Sequence, residues 1–375
     1  MESRRPTPDD EPLGAVTAGP AAGSMITAVV VVRTTEFGAD LAVLTAEFGF
    51  RVEMIFPADR PSTAELSAHG VRLRLEAAEA SSPITIRLAG ITKAFVLPGG
   101  SLVEPAATDS LDPTALPVNR PSLWIDRDDG SAGVGRAGMR YRDLLPDRWG
   151  GRFISSLISI ADGGPVPDYV HFHRIRFQLI FVKEGWVRVV YEDQGDPFVL
   201  QRGDCVIQPP EIRHRVLESS PGLEVVEIGC PAEHETRADW TLDLPNGVGD
   251  PTRRWDGQRF VRHIADGAPY LPWHRAGWEY RETGVADATD GLAGVRVARP
   301  VAEAGSSQVG APVGLEHEFA QLVVLRGEVA FAAEGRSVEL LSDGDAVAIP
   351  PGTSYELLDP TPDCELLDVT LPASP

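Results

Sequence analysis

The sequence predicts a mainly β protein in which two jelly-roll barrels follow a small α+β module of β-α-β-β-β order. Three observations predict it. The β-branched run MITAVVVVRT leads into a segment with helical apolar spacing and then into short strand-like runs. From residue 136 onward, short β-runs separated by Gly and Pro dominate, the pattern of sandwiches and jelly rolls. That β region also repeats: GMRYRD at 138–143 answers GWEYRE at 277–282, GDCVIQPP at 203–210 answers GDAVAIPP at 344–351, and Gly185 answers Gly327.

Taken in order, residues 1–24 are rich in Pro, Gly, Ala and acids and lack an apolar core, so a disordered tail without a signal peptide is expected. Residues 25–96 form the α+β module, with ADLAVLTAEFG as its helix and RVEMIFPAD, VRLRLEA and ITIRLAG as its later strands. Residues 97–135 carry Pro98, Pro105, Pro113, Pro117 and Pro121 without a sustained period, which predicts a linker draped over a neighbour. The first barrel is expected over 136–240, a second linker over 241–275 and the second barrel over 276–372.

Composition excludes several function classes. The 375 residues hold 55 acids against 34 Lys and Arg, a formal charge of -21 that opposes binding to nucleic acid or to an anionic membrane surface. Residues 301–375 alone hold 13 acids against two arginines, Arg326 and Arg336. The apolar run Ile26 to Val32 is far too short to span a bilayer. Three widely spaced cysteines, Cys205, Cys230 and Cys364, cannot build a disulfide framework and predict reduced thiols in a cytoplasmic protein. No P-loop, GxGxxG after a strand, CxxC pair or nucleophile elbow occurs.

The β-α-β-β-β order, with the phrase FPADRPSTAEL between strands, resembles one half-module of the glyoxalase and bleomycin-resistance (vicinal oxygen chelate) superfamily. Such modules usually pair around a metal held by His and Glu. The first strand here offers neither, so a packing or dimerisation role in a homo-oligomer is expected.

The sharpest signal is GPVPDYVHFHRIRFQLIFVKEG, Gly164 to Gly185, followed by GDCVIQPPEIRH, Gly203 to His214. The pair resembles the two cupin motifs, and the resemblance implies His171, His173, Gln178 and His214 as ligands of one divalent metal ion per chain. The spacing has its own physical reading. Side chains alternate along a strand, so His171 and His173 face one way about 7 Å apart and can share a small ion. Gly185 fits a hairpin turn, and Pro209-Pro210 redirects the chain before His214.

Gln178 stands where the family usually has Glu. A neutral ligand set leaves the ion its full charge and makes it a stronger Lewis acid. Imidazole and amide ligands suit Fe(II), which the resemblance favours, and equally Ni(II), Zn(II) or Mn(II). In the second copy, GLEHEFAQLVVLRG sets Leu315 and His317 at the His-x-His positions and Gln321 at the Gln position, and GDAVAIPPGTSY sets Tyr355 at the last His. His317, Gln321 and Tyr355 are therefore the residues of a degenerate second site.

Arg142, Arg152 and Arg213 lie near the motifs and could hold a planar anion of the substrate. Cys205 lies within an expected strand and reads as core. Resemblance to cupin dioxygenases implies a metal-dependent oxidoreductase that uses O₂ on a small enolisable or phenolic substrate. A non-redox isomerase or cyclase with the same ligands, or a small-molecule-binding protein without turnover, are the alternatives.

Overall fold

A computed structural model describes residues 29–57, 60–106, 116–135, 138–250, 252–301, 313–314 (backbone only) and 317–373. The expected tail, 1–24, lies outside the described residues. The chain forms two compact units, Met1–Asp109 and Ser110–Pro375.

In the first unit the strand Val30–Thr34, the helix Phe37–Ala46 and the strands Arg51–Phe56, Thr63–Ala68 and Val71–Ala77 follow in the expected β-α-β-β-β order. Val30–Thr34 pairs in parallel with Val71–Ala77, and Thr63–Ala68 and Arg51–Phe56 complete a four-stranded sheet. Val32, Leu44, Leu66, Leu73 and Leu75 form its core. Two strand assignments differ from expectation. TAELSA, which begins within the phrase expected between strands and runs two residues past it, is itself a strand because its alternation buries Ala64 and Leu66. Thr85–Leu88, expected as the last strand of the module, instead joins a separate sheet with Leu102–Pro105 and Phe95–Val96.

The second unit holds two jelly-roll barrels, as the internal repeat predicts. In the first barrel a seven-stranded sheet containing Phe177–Glu184, Leu223–Cys230 and Ile154–Ile160 faces a six-stranded sheet containing His171–Arg174, His214–Ser219 and Trp186–Tyr191. The second barrel repeats the plan with a seven-stranded and a four-stranded sheet. The two seven-stranded sheets pack back to back. Phe177, Leu179, Phe181, Val226 and Ile228 of one share a core with Val297, Phe319, Val323 and Val369 of the other. Alternation explains the division of labour: Phe177, Leu179 and Phe181 enter that shared core, while Gln178 and Ile180 face the first barrel's interior.

Both stretches expected as linkers carry strands that the barrels exchange. Trp124–Asp126, ahead of the first barrel, pairs with Ala346–Ala348 of the second. Val261–His263, ahead of the second barrel, pairs with Cys205–Ile207 of the first. Each therefore covers the edge of a GD-x-V strand that would otherwise present open backbone groups. Short strands between Gly and Pro give no periodicity, which is why the sequence reads as linker there.

Candidate metal centre

His171 and His173 share a face of the strand His171–Arg174, and the register sets His171 directly opposite His214. The three rings close into a cluster with centroids 4.2 to 5.2 Å apart and ligand nitrogens all within 4.8 Å of one another. Nitrogens about 2.1 Å from one ion lie roughly 3 Å apart, so a small side-chain contraction seats a metal. This is the one group of its kind among the described residues.

The outer contacts orient the rings. His171 Nδ1 donates to the Tyr169 carbonyl at 2.8 Å, with Asp168 Oδ1 at 3.6 Å, and His214 Nδ1 donates to the Ile212 carbonyl at 3.0 Å. A carbonyl only accepts, so in these two rings the proton is on Nδ1 and the lone pair on Nε2. The Thr236 hydroxyl holds Nδ1 of His173 at 2.8 Å. Tyr191 stacks on His214 with centroids 5.4 Å apart, and its hydroxyl accepts from Gln208 Nε2 at 2.7 Å. Burial pushes that phenol's pKa up, so it stays protonated.

Gln178 supplies the test of metal fit. Its Nε2 donates to Glu227 Oε1 at 2.6 Å, and a carboxylate only accepts, so the amide orientation is fixed. Its Oε1 is buried without a hydrogen-bond partner. An orphaned buried carbonyl costs about 1–3 kcal/mol, which a cation beside it would offset. Three imidazoles and one amide oxygen make a coherent donor set for a divalent ion.

The cluster opens into a cavity of about 370 Å³ whose walls include Ile154, Ile158, Ile180, Val189, Val216 and Val225. Its polar lining includes His173, Gln178, His214, Glu227, His234 and Thr236. Sequence reasoning gave His234 no role and did not single out Glu227. His234 packs edge-on against His173 at 5.3 Å because the chain turns back after Cys230, and Glu235–Ala238 pairs with the His171–Arg174 strand. The alternation of Leu223–Cys230, which turns Leu223, Val225 and Glu227 inward, could have flagged Glu227 as the one acid on that face.

The other expected site residues lie elsewhere. Arg142 is buried against Asp126 and Gly344, Arg152 binds Glu318 and the Pro117 carbonyl, and Arg213 pairs with Asp239 over the Phe172 ring. None of the three lines the cavity, since each is drawn to a carboxylate outside it. Cys205 is core as expected, its thiol pushed up to about 12 by burial.

The degenerate second site is not assembled. Tyr355 does face the second barrel's interior opposite Val313, as His214 stands opposite His171, so His317 lies beyond the two His-x-His positions, 313 and 315. Leu315 lies outside the described residues. Val323 stands opposite Ala346 as Phe181 stands opposite Cys205, which puts Ala320 in the place of Gln178. Gln321 therefore falls on the shared-core side between Phe319 and Val323. Trp273, Trp278, Phe331 and Tyr355 pack into the second interior, with Arg275 over the Tyr355 ring at 4.1 Å.

No protein-family model matches the chain, and no curated protein matches it. Among solved structures, it is similar to protein Ylba from E. coli, with 10% identity, a TM-score of 0.48, and 68% of this chain and 93% of that chain covered. It is also similar to a salicylate 1,2-dioxygenase from Pseudaminobacter salicylatoxidans, with 14% identity, a TM-score of 0.48, and 68% and 86% covered. An oxalate decarboxylase from Lactobacillus farciminis gives 10%, 0.46, and 69% and 86%. Likenesses this distant assign no chemistry, so the reading of the site rests on its own geometry. No helix among the described residues is long and apolar enough to cross a membrane.

Proposed function

We propose that the first barrel holds one divalent metal ion on His171, His173, His214 and the Gln178 amide oxygen, and acts as a metal-dependent dioxygenase on a small enolisable or phenolic substrate. The observation that carries this reading is a cluster of three outwardly anchored imidazoles, two of which, His173 and His214, line one cavity together with the orphaned amide of Gln178. When bound, the ion, Fe(II) by preference, supplies Lewis acidity and redox capacity at the cavity wall.

The chain's own residues do the rest. The isoleucine and valine walls accept an apolar body and exclude water, and about 370 Å³ suits a molecule of one or two rings. Glu227 is the one carboxylate on the described lining, and hydrogen bonding to Gln178 fixes its place, so it can take the proton from an enol or phenol hydroxyl. That same carboxylate favours a second reading, a non-redox isomerase or cyclase in which Glu227 moves a proton between substrate atoms. The β-α-β-β-β order of the first unit supports reading it as a half-module of the vicinal oxygen chelate type.

Elemental analysis of the purified protein followed by O₂ uptake with catechols, diketones and flavonols tests the assignment. Iron and substrate-dependent uptake are expected. Zinc with no uptake on any substrate would replace the dioxygenase by the isomerase or cyclase. His173→Ala is expected to lose the metal, and retention of a full equivalent by that variant would overturn the ligand set.

A further inference from the structure

The internal repeat makes Arg142 and Arg281 counterparts, and each reaches across to the other barrel's Gly-Asp turn. Arg142 Nη2 donates to the Gly344 carbonyl at 2.6 Å, and Arg281 Nη2 donates to the Gly203 carbonyl at 3.2 Å. Both are buried, at 6% and 7% exposure. The exchanged strands frame them alike: Ala346 stands opposite Asp126 as Cys205 stands opposite His263. The Asp128 amide donates to Asp345 Oδ1 at 3.0 Å, as the Ala265 amide donates to Asp204 Oδ1 at 2.7 Å.

The charges differ. Asp126 ion-pairs with Arg142, and Asp128 Oδ1 lies 3.7 Å from its Nε. Burial lifts Asp126 to about 6, which leaves it ionised at neutral pH. At the counterpart positions stand His263 and Ala265, neither of which carries a negative charge. Arg281 has no carboxylate partner among the described residues, and its Nε is buried without a hydrogen bond. A buried, unpaired guanidinium is strongly unfavourable.

Beside it lies a cavity of about 100 Å³ between the barrels, lined by Arg281, Lys183, Arg202 and Glu365 among others. Lys183 Nζ already bonds Glu224 and Asp343 at 2.7 Å each, and Arg202 Nη2 meets Glu365 at 3.2 Å. Of the three cations on the wall, Lys183 and Arg202 are therefore satisfied by carboxylates, Arg202 also lying 3.5 Å from Glu184, and Arg281 alone has donor capacity left for an anion. We propose that this cavity binds one small oxyanion of sulfate or phosphate size, with Arg281 as its main donor and the anion taking the place that the Asp126 carboxylate has at Arg142. A planar guanidinium fork matches an oxyanion's oxygens, and the cavity admits little more than one such ion. Because Arg281 belongs to the second barrel's strand Trp278–Glu282 and Lys183 to the first barrel's Phe177–Glu184, the ion joins the two barrels. The inference is independent of the metal reading.

Calorimetric titration of the full-length, metal-loaded protein with sulfate, against chloride at matched ionic strength, tests it. One saturable site is expected in the wild type, with an accompanying rise in Tm. Arg281→Met is expected to lose the site. His263→Asp restores the carboxylate that Arg142 has, so it is expected to raise Tm without sulfate and to abolish sulfate binding. Absence of a saturable site in the wild type, its persistence in folded Arg281→Met, or its persistence in His263→Asp would each overturn the proposal. So would a site lost in His173→Ala, since that sulfate would be sitting at the metal centre.

Discussion

At the residue scale, Gln178 is explained by what faces it. Glu227 lies 2.6 Å from the amide nitrogen and requires a donor there, which a glutamate at 178 could supply only by being protonated. Two carboxylates that close repel, and one must give up its charge. Gln178→Glu is therefore expected to destabilise the metal-free protein by roughly 1–3 kcal/mol. Denaturant unfolding checks it, and the swap Gln178→Glu with Glu227→Gln, which restores one donor and one acceptor, is expected to recover most of the loss. The sequence made the three histidines and Gln178 legible because strand alternation and the turn residues are local. It could not show Glu227 or His234 beside them, because both arrive through pairings of strands distant in the chain.

At the scale of elements, the turn expected to close a hairpin after the Gln178 strand instead carries the chain from Phe177–Glu184 in the seven-stranded sheet to Trp186–Tyr191 in the six-stranded sheet, and the two strands do not pair with each other. Gly185 turns the chain with φ at +76°, and a Cβ there would collide with Ser220 Oγ, which itself accepts from the Trp186 amide at 3.0 Å. Gly185→Ala is expected to cost about 1–3 kcal/mol through strain and loss of that bond. Thermal unfolding measures it, and metal bound per folded molecule should stay unchanged because Gln178 lies at the other end of its strand from the turn and the three histidines are on other strands. The exchanged strands mark the limit of local reading. Trp124–Asp126 and Val261–His263 have three residues each, and what makes them strands is the open edge that each meets. The second barrel's register shows the same limit: Gln321 looks like a ligand by spacing, yet a one-residue slip relative to Gln178 turns it to the other face.

At the scale of the whole molecule, the acidic excess has both a solvating and a buried component. Asp368 is buried in the second barrel, and burial raises its carboxyl from 3.8 to about 6 despite Arg275 and Arg296 nearby. A raised value in the folded state means stability that is full below pH 4 and lost as pH climbs through 6. The difference corresponds to roughly 3 kcal/mol. Asp368→Asn is expected to remove that part of the decline between pH 4 and 7, as read from unfolding curves across the range. A decline as steep in the variant as in the wild type would assign it to other groups, such as Asp126.

The sequence by itself determined the β class, the internal repeat, the two barrels and the histidine cluster. Periodicity, turn residues and the spacing of His171, His173, Gln178 and His214 are properties of short segments, and short segments are what a sequence displays. The tertiary structure alone decided which strands the barrels trade and which way Gln321 faces. It also decided that Arg142 is paired while Arg281 is not. These depend on register and on long-range pairing, where one residue of slip moves a side chain from a cavity into a core.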